Sequence, residues 1–216
     1  MLTADVREQM IEQQVRAWDV LDGRVLQIFR KVPREQFTPE QQRFRAYADA
    51  EVPLAHGQHM LRPSVAGRLL QALQLTGSEH VLEIGAGSGF ITACLRTVAA
   101  RVRSLEIFPG LALMARRNLD SLGMRDVDVV TADGLQLDTA TRYDAIAITA
   151  SLPVYDERFA RQLAIGGRLF MVVGEPPVME GRLIRRTGEG SWASESLFET
   201  VIDPLVNAQR LPEFRF

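Results

Sequence analysis

The sequence predicts an α/β fold built on a doubly wound, mainly parallel sheet. From residue 64 onward, short apolar strands alternate with helical patterns of roughly 10–15 residues, which is typical of parallel strands joined by right-handed crossovers. Three glycines follow the first of these strands, at the point where doubly wound sheets bind their ligands. A length of 216 residues with 46% hydrophobic side chains is enough for one compact domain with a sizeable core.

Helices are predicted at the N-terminus. Residues 5–31 carry apolar side chains at helical spacing, and Asp5 and Glu8 have the spacing of a capping box. Asp22-Gly23 interrupts the pattern, so we expect a second helix to begin there. These helices are expected to form an appendage that packs on the sheet domain.

An irregular segment follows at residues 32–63. Its prolines and glycine predict turns, and its apolar side chains indicate an ordered loop with a functional role. We therefore expect two parts in one compact unit. Residues 1–63 form the N-terminal helices and a loop packed on the core, and residues 64–216 form the ligand-binding domain.

The end of the chain differs from the alternating region. Residues 182–186 and 197–202 are both strand-like and are separated by a glycine-rich turn, which predicts an antiparallel hairpin at the sheet edge. The predicted elements before it are helix 64–73, strand 81–84, helix 90–99, strand 101–106, helix 109–122, strand 127–131, strand 143–149, helix 156–163 and strand 167–173.

Composition and charge exclude several classes of protein. The 25 Lys and Arg residues face 27 acidic ones, a net charge of −2, so we expect no binding to nucleic acid. No segment approaches the ~20 apolar residues of a membrane span, and no basic-then-apolar signal begins the chain, so we expect a cytoplasmic protein without membrane contacts. The single cysteine, Cys94, excludes an intrachain disulfide and is expected to be a packed thiol. No metal site is predicted.

The turn after the first core strand indicates the kind of ligand. It reads Val81-Leu82-Glu83-Ile84-Gly85-Ala86-Gly87-Ser88-Gly89-Phe90, a buried strand that turns into a helix. This glycine spacing differs from the G-x-G-x-x-G of dinucleotide sites, so a nicotinamide oxidoreductase is disfavoured. The Glu83 carboxylate would repel a pyrophosphate but suits a cationic ligand. The stretch resembles the first motif of class I methyltransferases, whose methyl donor, S-adenosylmethionine, carries a sulfonium and no phosphate.

Further polar groups follow the next strands. Glu106 ends the second strand, where a carboxylate can accept hydrogen bonds from both ribose hydroxyls. Asp133 follows the third strand, where its side chain is placed to accept from the adenine amino group. The residues predicted to bind S-adenosylmethionine are Glu83, Gly85, Ala86, Gly87, Ser88, Gly89, Glu106, Ile107, Asp133, Gly134 and Thr149.

The loop before these strands points to one family. It reads Pro53-Leu54-Ala55-His56-Gly57-Gln58, which resembles the P-[IL]-x-x-G-Q segment of protein-L-isoaspartate O-methyltransferases. The resemblance covers about residues 6–175 and implies methylation of the free α-carboxylate of isoaspartyl residues in damaged proteins, as a step in their repair. It also implies that the segment beginning at Asp203 borders the cleft. The residues that it assigns to substrate binding are Pro53, Leu54, His56, Gly57 and Gln58.

The sequence departs from the family in this loop. After Gly-Gln the family usually reads [TA]-I-[ST], and the resemblance assigns the last hydroxyl to the substrate carboxylate, but this chain has His59-Met60-Leu61. Leucine cannot donate a hydrogen bond. His59 could donate from a ring nitrogen and Arg62 could bind a carboxylate in bidentate fashion, so His59, Leu61 and Arg62 are the candidate catalytic positions. Both polar residues also have structural interpretations, a hydrogen bond within the loop for His59 and a solvated charge for Arg62.

Three functions stay open from the sequence. The first is an isoaspartyl methyltransferase, and the second is a divergent paralogue that methylates another acceptor, such as a small carboxylate or a hydroxyl. The third is a module that binds S-adenosylmethionine without transferring its methyl group. The oligomeric state, monomer or homodimer, is also open. The aromatic terminus, Phe214-Arg215-Phe216, is expected to dock on a hydrophobic groove or to form an oligomer contact.

Overall fold

Helices and strands alternate along most of the computed structural model, which describes residues 2–137 and 140–209. The helices are α1 Leu2–Met10, α2 Gly23–Lys31, α3 Arg34–Phe37, α4 Pro63–Leu73, α5 Phe90–Val98, α6 Pro109–Ser121 and α7 Glu157–Ala160. The strands are β1 Val52–Pro53, β2 His59–Met60, β3 His80–Ile84, β4 Arg101–Glu106, β5 Asp128–Thr131, β6 Tyr143–Leu152, β7 Leu163–Glu175, β8 Val178–Gly188 and β9 Ser191–Glu199.

Seven strands form the main sheet, in the order β5-β4-β3-β6-β7-β8-β9. The pairs from β5 to β7 are parallel, and β8 and β9 extend the sheet antiparallel. Strand β3 has β4 on one side and β6 on the other, so the chain order reverses there and leaves a crevice at the carboxyl ends of the strands. The predicted doubly wound α/β fold is confirmed.

The N-terminal helix differs from the prediction at its start. Helix α1 begins at Leu2, so Asp5 lies inside its first turn and the predicted capping box is wrong. The helix continues as a π-helix over Ile11–Val15. The second predicted start is correct, because the Asp22 side chain accepts a hydrogen bond from the Arg24 backbone N–H.

The N-terminal helices share one apolar core with the sheet domain. Phe29 of α2 and Phe37 of α3 both pack on Phe90 of α5, with ring centroids 6.0 and 5.7 Å apart. Cys94, on the same helix α5, is a buried free thiol. None of the helices in the described ranges is long and apolar enough to cross a bilayer.

Several strands and one helix differ from their predicted bounds. Strand β6 continues beyond the predicted residue 149 to Leu152, and α7 ends at Ala160 because β7 already begins at Leu163. The predicted edge hairpin is present as β8 and β9, but β9 ends at Glu199, so residues 200–202 are not part of a strand.

The segment after β9 returns to the middle of the sheet. The Ser151 N–H donates to the Asp203 carbonyl at 2.8 Å, and the Leu205 N–H donates to the Ser151 carbonyl at 2.7 Å. These bonds hold the segment against the end of β6, next to the crevice. The aromatic terminus Phe214-Arg215-Phe216 lies outside the described residues.

Candidate functional site

A cavity of about 670 Å³ opens at the carboxyl ends of β3, β4, β5 and β6. One side of it, here the strand-end half, is formed by the residues that follow or end these strands, namely Gly85, Gly87, Glu106, Ile107, Asp133, Gly134 and Thr149. The other side, here the loop half, is formed by the loop before α4 and by the segment after β9, namely Glu51, Leu54, Gln58, His59, Leu61 and Asp203.

The strand-end half requires glycine at its first turn. Gly85 has φ +96°, and a Cβ added there would collide with Thr149 Oγ1. That hydroxyl cannot move freely, because it donates to the carbonyls of Ile84 and Gly85 at 3.0 and 2.6 Å. Gly87 has φ +53°, and a Cβ there would lie 3.3 Å from Leu54 Cδ1 in the facing wall. A side chain at Gly87 would therefore narrow the cavity.

The Glu106 carboxylate is held at the cavity wall by backbone donors. The Gly87 N–H donates to Oε2 at 2.8 Å, and the Phe108 N–H donates to Oε1 at 3.0 Å. Only 5% of the residue is exposed. Each carboxylate oxygen can accept a second hydrogen bond, so the geometry fits a ligand with two neighbouring hydroxyls, such as a ribose.

Asp133 is held by contacts from two directions. The Leu135 N–H donates to Oδ1 at 2.9 Å, and the Asn207 side-chain amide donates to Oδ2 at 3.0 Å. The next residue, Gly134, leaves no space for a side chain, because a Cβ there would collide with Ile84 Cγ2. Sequence reasoning missed Asn207, since no local pattern links it to Asp133.

The structure corrects the expectation for Glu83. Its side chain is fully buried and accepts hydrogen bonds from Thr92 Oγ1 and Ser104 Oγ at 2.5 and 2.6 Å. Because side chains alternate along a strand, Glu83 points toward α5, away from the cavity mouth. Burial raises the pKa of Glu83 to about 8, so the carboxyl is mainly protonated at pH 7. In this position, Glu83 makes no direct charge contact with a ligand in the cavity.

Three other predicted ligand contacts lie beyond the main cavity wall. Ala86 and Ser88 line a smaller adjoining cavity of about 310 Å³, which also contacts Leu54, His59 and Leu61. Gly89 faces α6 instead, because a Cβ there would lie 3.1 Å from the backbone of Ala115.

The loop half begins with a tight hairpin, in which β1 pairs antiparallel with β2. The Leu54 N–H donates to the Gln58 carbonyl at 2.7 Å, and His56 stacks on Phe108 with ring centroids 4.2 Å apart. Leu54 and Gln58 therefore face the cavity, whereas Pro53, His56 and Gly57 lie outside its wall.

Leu61 occupies the position of the family hydroxyl and lies in the cavity wall, 7% exposed. Its carbonyl accepts a hydrogen bond from Arg34 Nη2 at 2.8 Å, and Arg34 Nε donates to the Ala46 carbonyl at 2.9 Å. Burial lowers the pKa of the Arg34 guanidinium to about 10, so it stays charged at pH 7. Arg34 thus fixes the loop from its buried side. The residues near Arg34 in the sequence do not reveal this role.

The loop half also contains a histidine–carboxylate pair. His59 Nδ1 lies 2.8 Å from Asp203 Oδ2, and about a third of each side chain is exposed. Glu51 lines the same wall, and its pKa is raised by burial and then by the negative charge of Asp203. The family resemblance locates Asp203 near the cleft, but neither its contact with His59 nor the place of Glu51 is visible from the sequence.

The structure places the third candidate catalytic residue, Arg62, outside both cavities. Its guanidinium donates to Thr200 Oγ1 at 3.0 Å and lies over the Trp18 ring, 5.3 Å from the centroid. The guanidinium therefore holds the residue before α4 against Thr200, which follows β9, and against Trp18 near the N-terminus. Within the described residues, no cluster of His, Cys, Asp or Glu suits a metal ion.

Comparisons with known proteins point to one family. The model of the protein-L-isoaspartate(D-aspartate) O-methyltransferase (PCMT) family matches residues 5–210. A protein-L-isoaspartate O-methyltransferase of Rhodopseudomonas palustris is 43% identical over 202 residues, which are 93% of each chain. Protein-L-isoaspartate O-methyltransferase 2 of Marinobacter nauticus is 38% identical over 211 residues, 97% of this chain and 96% of its own.

Solved structures support the fold independently. A β-aspartate methyltransferase (PCMT) of Plasmodium falciparum, in complex with S-adenosyl-L-homocysteine, superposes with a TM-score of 0.78 at 19% identity. The match covers 92% of this chain and 97% of that one. At this identity the likeness supports the architecture alone.

Proposed function

Because the chain belongs to the protein-L-isoaspartate(D-aspartate) O-methyltransferase family, we propose that its strand-end half binds S-adenosylmethionine and its loop half binds an isoaspartyl carboxylate. Family membership confirms the predicted enzyme class, a methyltransferase that uses S-adenosylmethionine. The assignment of individual residues to the two ligands is the proposal. The proposed partners of this protein are proteins that contain isoaspartyl residues. Its cytoplasmic location stays a prediction.

The position of Glu106 carries the proposal for the methyl donor. Its carboxylate is fixed at the wall by two backbone donors, with lone pairs left to accept from a ribose. Asp133 lies where an adenine amino group could donate, and Gly85 and Gly87 keep the wall free of side chains. When bound, S-adenosylmethionine supplies a methyl group on a positively charged sulfur, and the sulfur keeps the electron pair of the broken S–C bond.

The acceptor needs little activation by the protein. A carboxylate is already ionised at pH 7, so binding it beside the donor and excluding water supply most of the catalytic effect. Leu54 and Leu61 provide apolar wall on the loop half, and Gln58 and His59 provide polar groups. Among the described residues of the wall, four are acidic and none is Lys or Arg, so His59 is the group that can bring positive charge.

A matched pair of peptides tests this function. The protein is incubated with S-adenosylmethionine and either an isoaspartyl peptide or the same peptide with aspartate. We expect a base-labile methyl ester, released as methanol, on the isoaspartyl peptide alone. If S-adenosylhomocysteine binds but the isoaspartyl peptide gains no ester above a denatured control, the proposed acceptor is wrong.

A variant pair tests the donor assignment in the same preparation. Glu106→Gln should weaken the binding of S-adenosylhomocysteine by about tenfold in calorimetry, because a neutral amide is a weaker acceptor than a carboxylate. Glu195→Gln, on the exposed face of β9, removes the same charge far from the cavity and should bind normally. Equal affinities of the two variants would contradict the role of Glu106.

Leu61 favours a second candidate, a methyltransferase of the same fold that acts on a different acceptor. Without the family hydroxyl, the loop half lacks the donor that the resemblance assigns to the substrate carboxylate. Small carboxylates and hydroxyl compounds should therefore be offered alongside the peptides. Methylation of one of these, with the isoaspartyl peptide left unmodified, would favour this second function.

A further inference from the structure

The contact between His59 and Asp203 joins two distant parts of the chain at the cavity. His59 belongs to β2. Asp203 belongs to the segment after β9, which is hydrogen-bonded to Ser151 of β6. The ring nitrogen and the carboxylate oxygen are 2.8 Å apart, and both side chains line the wall beside Leu61. The pair is therefore placed at the point where the chain lacks the family hydroxyl.

Asp203 fixes which nitrogen of His59 is available. An ionised carboxylate only accepts hydrogen bonds, so Nδ1 carries the proton in this contact. Nε2 makes no hydrogen bond with any of the described residues. A protonated ring would donate from Nε2, whereas a neutral ring would present a lone pair there. The pair thus offers one atom whose role depends on the protonation of the ring.

We infer that His59 holds the acceptor carboxylate through Nε2–H and that Asp203 is its positioning residue, the two together replacing the hydroxyl absent at Leu61. This inference rests on the proposed function, since it requires a carboxylate acceptor in the loop half. It adds a role for Asp203 that the family pattern does not contain. It also explains why the loop can lose its hydroxyl donor and keep a site for an anion.

The charges around the pair define how it depends on pH. Asp203 contacts the ring directly, and Glu51 interacts electrostatically with His59, Asp203 and Arg62. When the ring is protonated, its positive charge attracts a carboxylate acceptor. Glu51 opposes the binding of a carboxylate acceptor when it is ionised, because its negative charge repels an anion.

The reaction itself gives two acceptor classes opposite pH dependences. With a carboxylate, a C–O bond forms, the S–CH₃ bond breaks and no proton moves, so the protonated ring is the active form and kcat/KM falls as the pH rises. With a hydroxyl acceptor, a proton must leave the oxygen for Nε2, so the neutral ring is the active form and kcat/KM rises. The direction of the profile therefore distinguishes the two.

The first experiment measures kcat/KM for the isoaspartyl peptide between pH 5.5 and 8.5 at saturating S-adenosylmethionine. Wild type should lose activity as the pH rises, and Asp203→Asn should lose about tenfold more at pH 7.5 than at pH 5.5. Asp203→Glu should recover most of that loss. His59→Gln keeps an N–H donor without a titrating ring, so its profile should be flat. Glu195→Gln leaves the cavity unchanged, so its profile should match that of wild type.

The second experiment returns a hydroxyl to the loop. His59→Ala should lower kcat/KM by about tenfold or more, and adding Leu61→Ser should restore it to within about threefold of wild type. A purely structural contact predicts another pattern, because Leu61→Ser could not repair a displaced loop. Binding of S-adenosylhomocysteine and the melting temperature are measured for every variant, to confirm that the site is folded.

The outcomes separate the inference from the function on which it rests. If wild type methylates the peptide but Asp203→Asn keeps the wild-type profile, or Leu61→Ser fails to rescue His59→Ala, the His59–Asp203 assignment is overturned and the function stands. A profile that rises with pH would assign His59 as a base and overturn the role proposed here. If wild type binds S-adenosylhomocysteine and no isoaspartyl peptide is methylated at any pH, both fail.

Discussion

In the strand-end half, backbone N–H groups that are close in sequence or in the adjacent turn hold both acidic side chains, and the distant Asn207 amide adds one side-chain contact to Asp133. Phe108 and Gly87 hold Glu106, and Leu135 holds Asp133. In the loop half, His59 is held by Asp203, which lies 144 residues away along the chain. The first arrangement is set by turn geometry, and the second depends on the assembly of the whole domain.

This difference predicts that the two halves tolerate substitution differently. A backbone donor is present whatever the side chain, so the strand-end half constrains mainly its glycines and its acids. A contact between two side chains requires both residues, so the loop half can exchange one solution for another. The replacement of a hydroxyl at Leu61 by the pair His59–Asp203 is such an exchange. Substitutions can test whether the two halves are as independent as this implies.

The largest effect is expected from Gly85→Ala in the strand-end half. The new Cβ would collide with Thr149 Oγ1, and φ +96° is strained for any L side chain. The left-handed backbone and the two weakened hydrogen bonds together lower the free energy of unfolding by about 3 kcal/mol. Because the displaced turn forms part of the cavity wall, S-adenosylhomocysteine should also bind about 100-fold more weakly. Calorimetry and thermal melting measure the two losses.

Gly110→Ala is the control for this substitution. Gly110 lies in the first turn of α6, and nothing lies within 4 Å of a Cβ placed there. Since alanine favours helices, this variant should bind and melt like wild type or slightly better. If Gly85→Ala also bound S-adenosylhomocysteine normally, the turn would not be the binding surface.

A smaller and more selective effect is expected from Arg34→Met beneath the loop half. Methionine fills part of the space but leaves the carbonyls of Ala46 and Leu61 without their donor, a cost of about 2 kcal/mol in unfolding free energy. The acceptor peptide should bind about tenfold more weakly, while the affinity for S-adenosylhomocysteine changes less than about twofold. Equal losses of affinity for the two ligands would show that the strand-end half and the loop half are coupled.

Local patterns predicted the strand-end half well because its geometry is local. The strand 101–106 and the acid that ends it follow from neighbouring residues, as does the start of a helix at Asp22-Gly23. Glu83 is expected to contact the ligand but is buried away from the cavity, which strand alternation could have revealed, since Val81 and Glu83 share a side and Leu82 and Ile84 share the other. From the sequence alone, Glu83 and all five residues of the turn, 85–89, are predicted to contact the ligand.

The loop half could be located from its resemblance to the family but not assembled. Nothing near Arg62 indicates that it packs on Trp18 and Thr200, and nothing near His59 indicates Asp203. These contacts depend on where β9 ends, and the apolar pattern placed that end three residues too late, at residue 202 instead of Glu199. Long-range side-chain contacts therefore required the structure.

The last expected effect concerns stability rather than binding, and it depends on pH. Burial raises the pKa of Glu83 to about 8, so the folded protein keeps a proton that the unfolded chain has already lost. The folded state thus binds more protons, and this contribution to stability falls as the pH rises from about 4.5 through about 8. Glu83→Gln should remove that slope, so the melting temperature of wild type should fall several degrees more than that of the variant between pH 5.5 and 8.

Glu79→Gln is the matched control for Glu83→Gln, since both acids lie at ends of the same strand region. Burial alone would raise the pKa of Glu79, but hydrogen bonds from Gly77 and Thr76 outweigh it and lower the pKa to about 2. Its contribution is lost only at acidic pH, so Glu79→Gln should keep the wild-type slope between pH 5.5 and 8. If Glu83→Gln kept that slope as well, Glu83 would be ionised in the folded protein.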